Sequence, residues 1–279
     1  MSIMENENKE KILIVKNLNK FFNVEISFFS KIKDFFLKIF KKKNKNPKKV
    51  LKAVNNVSFE VYKKEILCIV GESGCGKTTL ARTILNLYEP TSGEIILNGK
   101  IINNSNLKYL RKKCQMIFQD PYSSLNPLIN IGSIISEPFE INKIFKDKNE
   151  KKNKILELMN LVGLSNDYFE KYPSELSGGQ RQRVGIARSL ALKPDLIICD
   201  EPISALDVSI QAQILNTFID LKNKLGLTYI FITHNLLVVK KIADRVIVMY
   251  LGNIVEQANS KEIFDYPMHP YKYLSSIFS

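Results

Sequence analysis

The chain has 279 residues, 45% hydrophobic and 25% charged, with four cysteines and a formal net charge of +13. This composition is ordinary for a soluble globular protein, and the length allows one large or two small domains with a proper core. No run approaches the ~18 apolar residues of a membrane span, and the acidic start Met1-Ser2-Ile3-Met4-Glu5 is unlike a signal peptide.

A cytoplasmic location is therefore expected. Cys68, Cys75, Cys114 and Cys199 form no C-x-x-C pair, so they read as core thiols of a reducing compartment and support no metal site.

In chain order, Ile12 to Leu18 alternates as a strand and leads into Lys20-Phe21-Phe22. Phe28, Ile32, Phe35, Phe36 and Ile39 then recur at helical spacing. Lysines 31, 33, 38, 41, 42, 43, 45, 48 and 49 face only Asp34. The stretch 28–49 thus reads as a lysine-rich amphipathic insertion, a basic helix followed by a solvated tether. It suits an anionic membrane surface, or else is a low-complexity loop of no consequence.

Val50 to Val61 alternates as a second strand, and Ile66-Leu67-Cys68-Ile69-Val70 is apolar throughout. Next comes Gly71-Glu72-Ser73-Gly74-Cys75-Gly76-Lys77-Thr78, and then the helical run Thr79-Leu80-Ala81-Arg82-Thr83-Ile84-Leu85. Strand, glycine-rich turn and helix in this order give G-x-x-x-x-G-K-[ST] its meaning as a phosphate-binding loop. Gly71, Gly74 and Gly76 permit positive φ and close approach of the backbone to an anion. The helix N-terminus adds partial positive charge at the same place. Lys77 is placed to reach the β- and γ-phosphates, and Thr78 to offer its hydroxyl to Mg²⁺.

Gly93 to Gly99 reads as strand and turn, and Lys112 to Phe118 as a short strand ending at Gln119. Residues 121–192 turn helical, notably Lys151–Val162 and Gly178–Leu192, and are expected to form an inserted helical subdomain. The α/β rhythm then returns with strand 196–199, helix 207–225, strand 228–232, helix 236–242 and strand 245–250. Such alternation implies an α/β fold with a mostly parallel sheet. Residues 252–279 read as a C-terminal extension, a short strand and a polar tail.

Three further stations fall at strand or helix ends. Leu196-Ile197-Ile198-Cys199 runs into Asp200 and Glu201, acids at the carboxyl end of a buried strand, where ligands of parallel sheets bind. Asp200 is placed to hold the Mg²⁺ shell and Glu201 to polarise an attacking water, although a helix cap would look similar. His234, one of two histidines, follows the strand Tyr229–Thr233. Leu176-Ser177-Gly178-Gly179-Gln180 joins a hydroxyl and two glycines to a helix start, a second anion-binding device. One nucleotide rarely needs two such loops from one chain, which points to the nucleotide of a neighbouring subunit.

The set of Gly71–Thr78, Gln119, Leu176–Gln180, Leu196–Glu201, Ser204-Ala205-Leu206-Asp207 and His234, in this order, resembles the full motif set of ABC-transporter ATPases. The resemblance implies one ABC ATPase domain over 1–279. Its fold would be a RecA-like P-loop NTPase core with an N-terminal antiparallel β region and an inserted helical signature subdomain. ATP and Mg²⁺ are the implied cofactors. The loop Gly71 to Thr79, with Glu72, Ser73 and Cys75 among its members, would hold the nucleotide, with Phe22 stacking on adenine (Phe21 is the alternative). Thr78, Gln119 and Asp200 would serve the metal, Gln119 also linking to the membrane partner. Glu201 would be the base, assisted by Lys77, Gln119 and His234. Ser177, Gly178, Gly179 and Gln180 would meet the γ-phosphate of the opposite subunit, with Asp207 at the seam.

Phe118–Pro127, Ser204–Gln213 and His269-Pro270-Tyr271 resemble more narrowly the oligopeptide and dipeptide importer branch, closest to the second of its two ATPases. That implies a peripheral subunit on the cytoplasmic face of the cell membrane. Its partners would be a second ABC ATPase, two transmembrane permeases and an extracytoplasmic substrate-binding protein, with no nucleic acid. Nickel import is the runner-up within the branch. The alternative class is a soluble ABC ATPase acting on nucleic acid or ribosomes. Lys64 stands where the family usually has glycine, and Asn235 where it has aspartate.

The lysine-rich stretch yields a test. Each lysine near an anionic leaflet contributes ~1 kcal/mol, so the full chain should float with anionic liposomes better than a variant lacking residues 28–49. Equal flotation of the two retires the membrane-surface reading.

Overall fold

The computed structural model describes residues 9–24, 49–120 and 122–265. The expected amphipathic helix, its lysine run up to Lys48 and His269-Pro270-Tyr271 lie outside the described residues.

Two sheets build the fold. Strand β1 (Lys11–Val24) pairs antiparallel with both β2 (Lys49–Tyr62) and β4 (Ser92–Leu97), and the short β5 (Lys100–Ile101) closes that sheet in the order β2-β1-β4-β5. The second sheet contains β3 (Ile66–Gly71), β6 (Cys114–Ile117), β7 (Leu196–Asp200), β8 (Thr228–Ile232), β9 (Arg245–Tyr250) and β10 (Asn253–Asn259). Its order is β10-β9-β3-β8-β7-β6. Every pairing is parallel except β10 against β9.

Strands β3, β7 and β8 are buried at every residue. Both faces of this sheet are covered, which is why these strands read as continuous apolar runs rather than alternating ones. The alternation exists but separates two cores instead of core from water. Ile66, Cys68 and Val70 face the helical side, as do Ile197, Cys199, Tyr229 and Phe231. Leu67, Ile69, Ile198, Ile230 and Ile232 face the side of β1, β2 and helix α1 (Lys77–Ile84). All four cysteines are buried and free, and burial pushes their thiols up, away from the reactive thiolate.

A buried ion pair joins the two sheets. Arg245 donates to Glu65 Oε1 at 3.1 Å and to the Glu60 carbonyl at 3.1 Å, while Glu65 accepts the Tyr62 N–H at 2.7 Å. Burial raises the Glu65 carboxyl, and the Tyr62 amide and Arg245 offset this in part.

The remaining helices are α2 (Leu107–Lys113), α3 (Ile131–Ile141), α4 (Lys148–Leu161), α5 (Gly178–Leu190), α6 (Val208–Leu225), α7 (Leu236–Ile242) and α8 (Ser260–Asp265). Helices α3, α4 and α5 pack around Ile134, Ile135, Leu158, Met159, Val184 and Ile186. Two expectations need correction. The strand expected from Lys112 starts at Cys114, because Leu107–Lys113 is a run of good helix formers that buries only Leu110. The expected polar tail begins instead as β10 and α8, whose Ile263 is buried in the core. Lys64 takes φ 61°, a left-handed turn position that glycine adopts without strain. No helix among the described residues is long and apolar enough to cross a membrane.

Candidate active site

At the carboxyl ends of β3, β7 and β8 lies a cleft of about 880 Å³. Its lining runs from Gly71 through Thr79 and includes Phe22, Gln119, Glu201 and His234. The loop between β3 and α1 takes φ of 154° at Gly71, 79° at Gly74 and 111° at Gly76. At Gly71 a Cβ would lie 2.2 Å from the Met249 carbonyl oxygen, and at Gly76 one would lie 2.1 Å from that of Ala53. Backbone contact thus demands glycine at both ends of the loop. The first intrahelical bond of α1 runs from the Leu80 N–H to the Gly76 carbonyl. The amides of Lys77, Thr78 and Thr79 are therefore the orphan donors of the helix N-terminus, and they lie in the cleft lining. Lys77 Nζ donates to the Gly71 and Glu72 carbonyls at 2.8 Å each, arching over the loop.

Opposite the loop, the Thr78 hydroxyl donates to Asp200 Oδ1 at 2.9 Å. Burial raises the Asp200 carboxyl above its ordinary value; the Thr78 hydroxyl and the Arg82 and Lys77 charges offset this only in part. The next residue turns its carboxylate into the cleft. Glu201 Oε2 accepts from Gln119 Nε2 at 3.1 Å, and Oε1 lies 3.3 Å from His234 Nδ1. Glu201 has φ 47°, a left-handed conformation that costs an L-residue about 1–2 kcal/mol. Asn235 supports His234 from behind. Its side chain accepts the Leu237 and Val238 N–H groups and caps α7, the role an aspartate would fill there. The Phe22 ring stands edge-on to Tyr88, 5.5 Å between centroids.

The loop at 176–180 lies elsewhere. Ser177 caps α5: its hydroxyl accepts the Gln180 N–H at 3.3 Å, and Gln180 Oε1 accepts the Ser177 N–H at 2.8 Å. Its glycines do not have positive φ. A Cβ on Gly178 would lie 3.1 Å from the Leu206 side chain, and one on Gly179 would lie 2.5 Å from Ile210. Close packing of α5 on the segment leading into α6 therefore explains both. Ser177, Gly178, Gly179, Gln180 and Asp207 are absent from the lining of the cleft around the chain's own phosphate loop.

The family model described as ABC transporter matches residues 54–204, more than half of the chain. The chain belongs to the ABC transporter family. It is 51% identical over 229 residues to an oligopeptide transport ATP-binding protein, OppF, of Bacillus subtilis, spanning 81% of this chain and 75% of that protein. It is 46% identical to the dipeptide transport ATP-binding protein DppF of Haemophilus influenzae, spanning 96% of this chain and 78% of that one. Among solved structures, the ATP-binding cassette MJ0796, a dimer in a post-hydrolysis state bound to ADP and Pi, superposes with a TM-score of 0.73 at 25% identity. That likeness covers 89% of this chain and 99% of the other. The chain is an ABC ATPase of the P-loop NTPase fold.

Within this ABC cassette, the expected residues Phe22, Gly71 through Thr79, Gln119, Glu201 and His234 share one cleft, and Asp200 meets it through Thr78. Sequence reasoning missed Lys52, Ala53, Leu251 and Gly252, which line the same cleft. Gly252 donates its N–H to the Cys75 carbonyl at 2.8 Å and accepts that of Asn55 at 2.8 Å, so the β9–β10 turn clamps the phosphate loop onto β2. The available signal was Gly252 directly after a strand.

Burial of Asp200 gives a prediction with a definite sign. A carboxyl raised by burial contributes stability below its unfolded value and loses it as pH rises through the raised folded value. Asp200→Asn should therefore melt at or above the parent temperature at neutral pH without nucleotide, and the advantage should shrink as pH falls. Calorimetry across pH checks this; a clear loss of stability at pH 7 would contradict it.

Proposed function

We propose that this ABC ATPase powers import of oligopeptides or dipeptides as a peripheral subunit on the cytoplasmic face of the cell membrane. Its partners in this reading are a second, similar ATPase, two transmembrane permeases and an extracytoplasmic substrate-binding protein. The hydrolytic part rests on one observation, the Glu201 carboxylate held between Gln119 and His234 in the cleft of the phosphate loop. The substrate class rests on the relatives, whose names place them in oligopeptide and dipeptide transport.

The glycine-lined loop, too tight for any Cβ at Gly71 and Gly76, fits a phosphate chain held by backbone amides. Lys77 exchanges its loop carbonyls for phosphate oxygens, and Phe22 offers its ring to the base. The Thr78 hydroxyl and Asp200 carboxylate are hard oxygen donors that suit Mg²⁺, with Gln119 beside them. Bound there, the metal neutralises charge developing on the phosphates. Glu201 accepts the proton of the attacking water, His234 donates toward the γ-phosphate, and Gln119 connects the cleft with the permease side. Ser177 to Gln180, with Asp207 at the seam, cover the nucleotide of the partner ATPase.

Base removal should separate hydrolysis from binding. Glu201→Gln should keep Mg-ATP affinity and lose ~10²-fold or more of turnover; near wild-type turnover would take Glu201 out of that role.

The two-subunit reading has its own test. Ser177→Arg sets a bulky cation where a phosphate must approach the α5 N-terminus. In a Glu201→Gln background, monomer ATP affinity should stay unchanged while ATP-driven dimerisation, read by sedimentation of the chain alone and of the co-expressed pair, disappears. An undiminished dimer, or a loss of monomer binding, would overturn action across the seam.

A further inference from the structure

The left-handed backbone of Glu201 must be held by something, because an L-residue leaves that conformation readily when unsupported. On its amino side, the Glu201 N–H donates to the Ile232 carbonyl of β8 at 3.0 Å. On its carboxyl side, the Glu201 carbonyl accepts twice from Ser204, from the N–H at 3.2 Å and from the hydroxyl at 3.0 Å. The N–H alone closes the turn. The hydroxyl adds a second donor to the same oxygen, which a turn of this kind does not require. Where the carboxylate points depends on these bonds, since rotating the Glu201 backbone out of φ 47° would swing Cβ away from both Gln119 and His234.

We propose that Ser204 is a positioning residue for hydrolysis, its hydroxyl locking the Glu201 backbone so that the carboxylate sits between Gln119 and His234. The proposal rests on Glu201 serving as the base. Ser204 touches neither the phosphate loop nor the cleft lining, so nucleotide affinity does not depend on it. Its side chain is exposed, and removing the hydroxyl leaves the core intact.

The experiment is a double-variant cycle on the whole chain, with steady-state ATPase kinetics and Mg-ATP binding measured for Ser204→Ala, Ser204→Thr, Glu201→Gln and Ser204→Ala with Glu201→Gln. Ser204→Ala should lower kcat about tenfold, the scale of one lost hydrogen bond, with KM and Mg-ATP affinity unchanged. Ser204→Thr, which keeps the hydroxyl, should regain most of the rate. The pH profile of kcat in Ser204→Ala should keep its position, because Gln119 and His234 remain. Combined with Glu201→Gln, the alanine should cost nothing more, since two residues acting through one group are not additive.

Wild-type kcat in Ser204→Ala, or the same fractional loss in both backgrounds, overturns the proposal; the second result would place the hydroxyl's effect away from Glu201. If Glu201→Gln by itself keeps near wild-type turnover, it is the base assignment that falls, and the positioning role falls with it. These failures are read from different variants and are not confused.

Discussion

The register of three parallel strands is the constraint on which the site depends. Ile69 of β3 lies beside Ile232 of β8, and Ile232 lies beside Asp200 of β7. The phosphate loop, the acids and His234 therefore leave the sheet at one level of one edge, although more than a hundred residues separate the first from the others. A one-residue slip would exchange the two faces of a strand. Here it would push Cys68, Cys199 and Phe231 into the core that now holds Leu67, Ile198 and Ile230. Packing on both faces thus fixes the register, and the register brings Thr78 within 2.9 Å of Asp200.

Stability is given up at the two acids. Asp200 is buried where its charge is disfavoured, and Glu201 occupies a backbone region that glycine would occupy more comfortably. Neither choice helps the fold; both aim oxygen atoms at the phosphate loop. Compensation comes from the surroundings: fully buried strands on either side, the Thr78 hydroxyl, and the bonds from Ile232 and Ser204 that hold the turn. Strain of this kind persists only where neighbouring structure over-determines it.

The two glycine-rich segments are alike in sequence and differ in physics. In the phosphate loop, glycine is required by positive φ and by backbone carbonyls closer than any Cβ tolerates. At Gly178 and Gly179 it is required by Leu206 and Ile210, so the α5 N-terminus lies directly against the segment that follows Glu201. Arg181 of the same helix stacks on Tyr122 at 3.8 Å, and Arg188 donates to the Ser124 carbonyl at 2.9 Å. The residues just past Gln119 are thereby tied to α5, and a shift of α5 is felt on both sides of Glu201.

Local chemistry determined much of this protein from sequence alone. A strand–loop–helix with glycines and Lys77, an apolar run ending in Asp200 and Glu201, and a capped helix start at Ser177 each carry their meaning within ten residues, because turn conformation, helix capping and burial are short-range effects. The order of these motifs was enough to indicate the family and the parallel α/β core. Tertiary structure alone decided what depends on distant segments meeting: that Gln119 and His234 share the Glu201 carboxylate, and that Gly252 clamps Cys75. It also decided that Lys112 and Lys113 close a helix instead of opening a strand. The pairing of β6 with β7 begins only at Cys114, and no local pattern reveals where a partner strand will start. Side-chain periodicity encodes which face is buried, but the identity of the neighbour is fixed only when the sheet assembles.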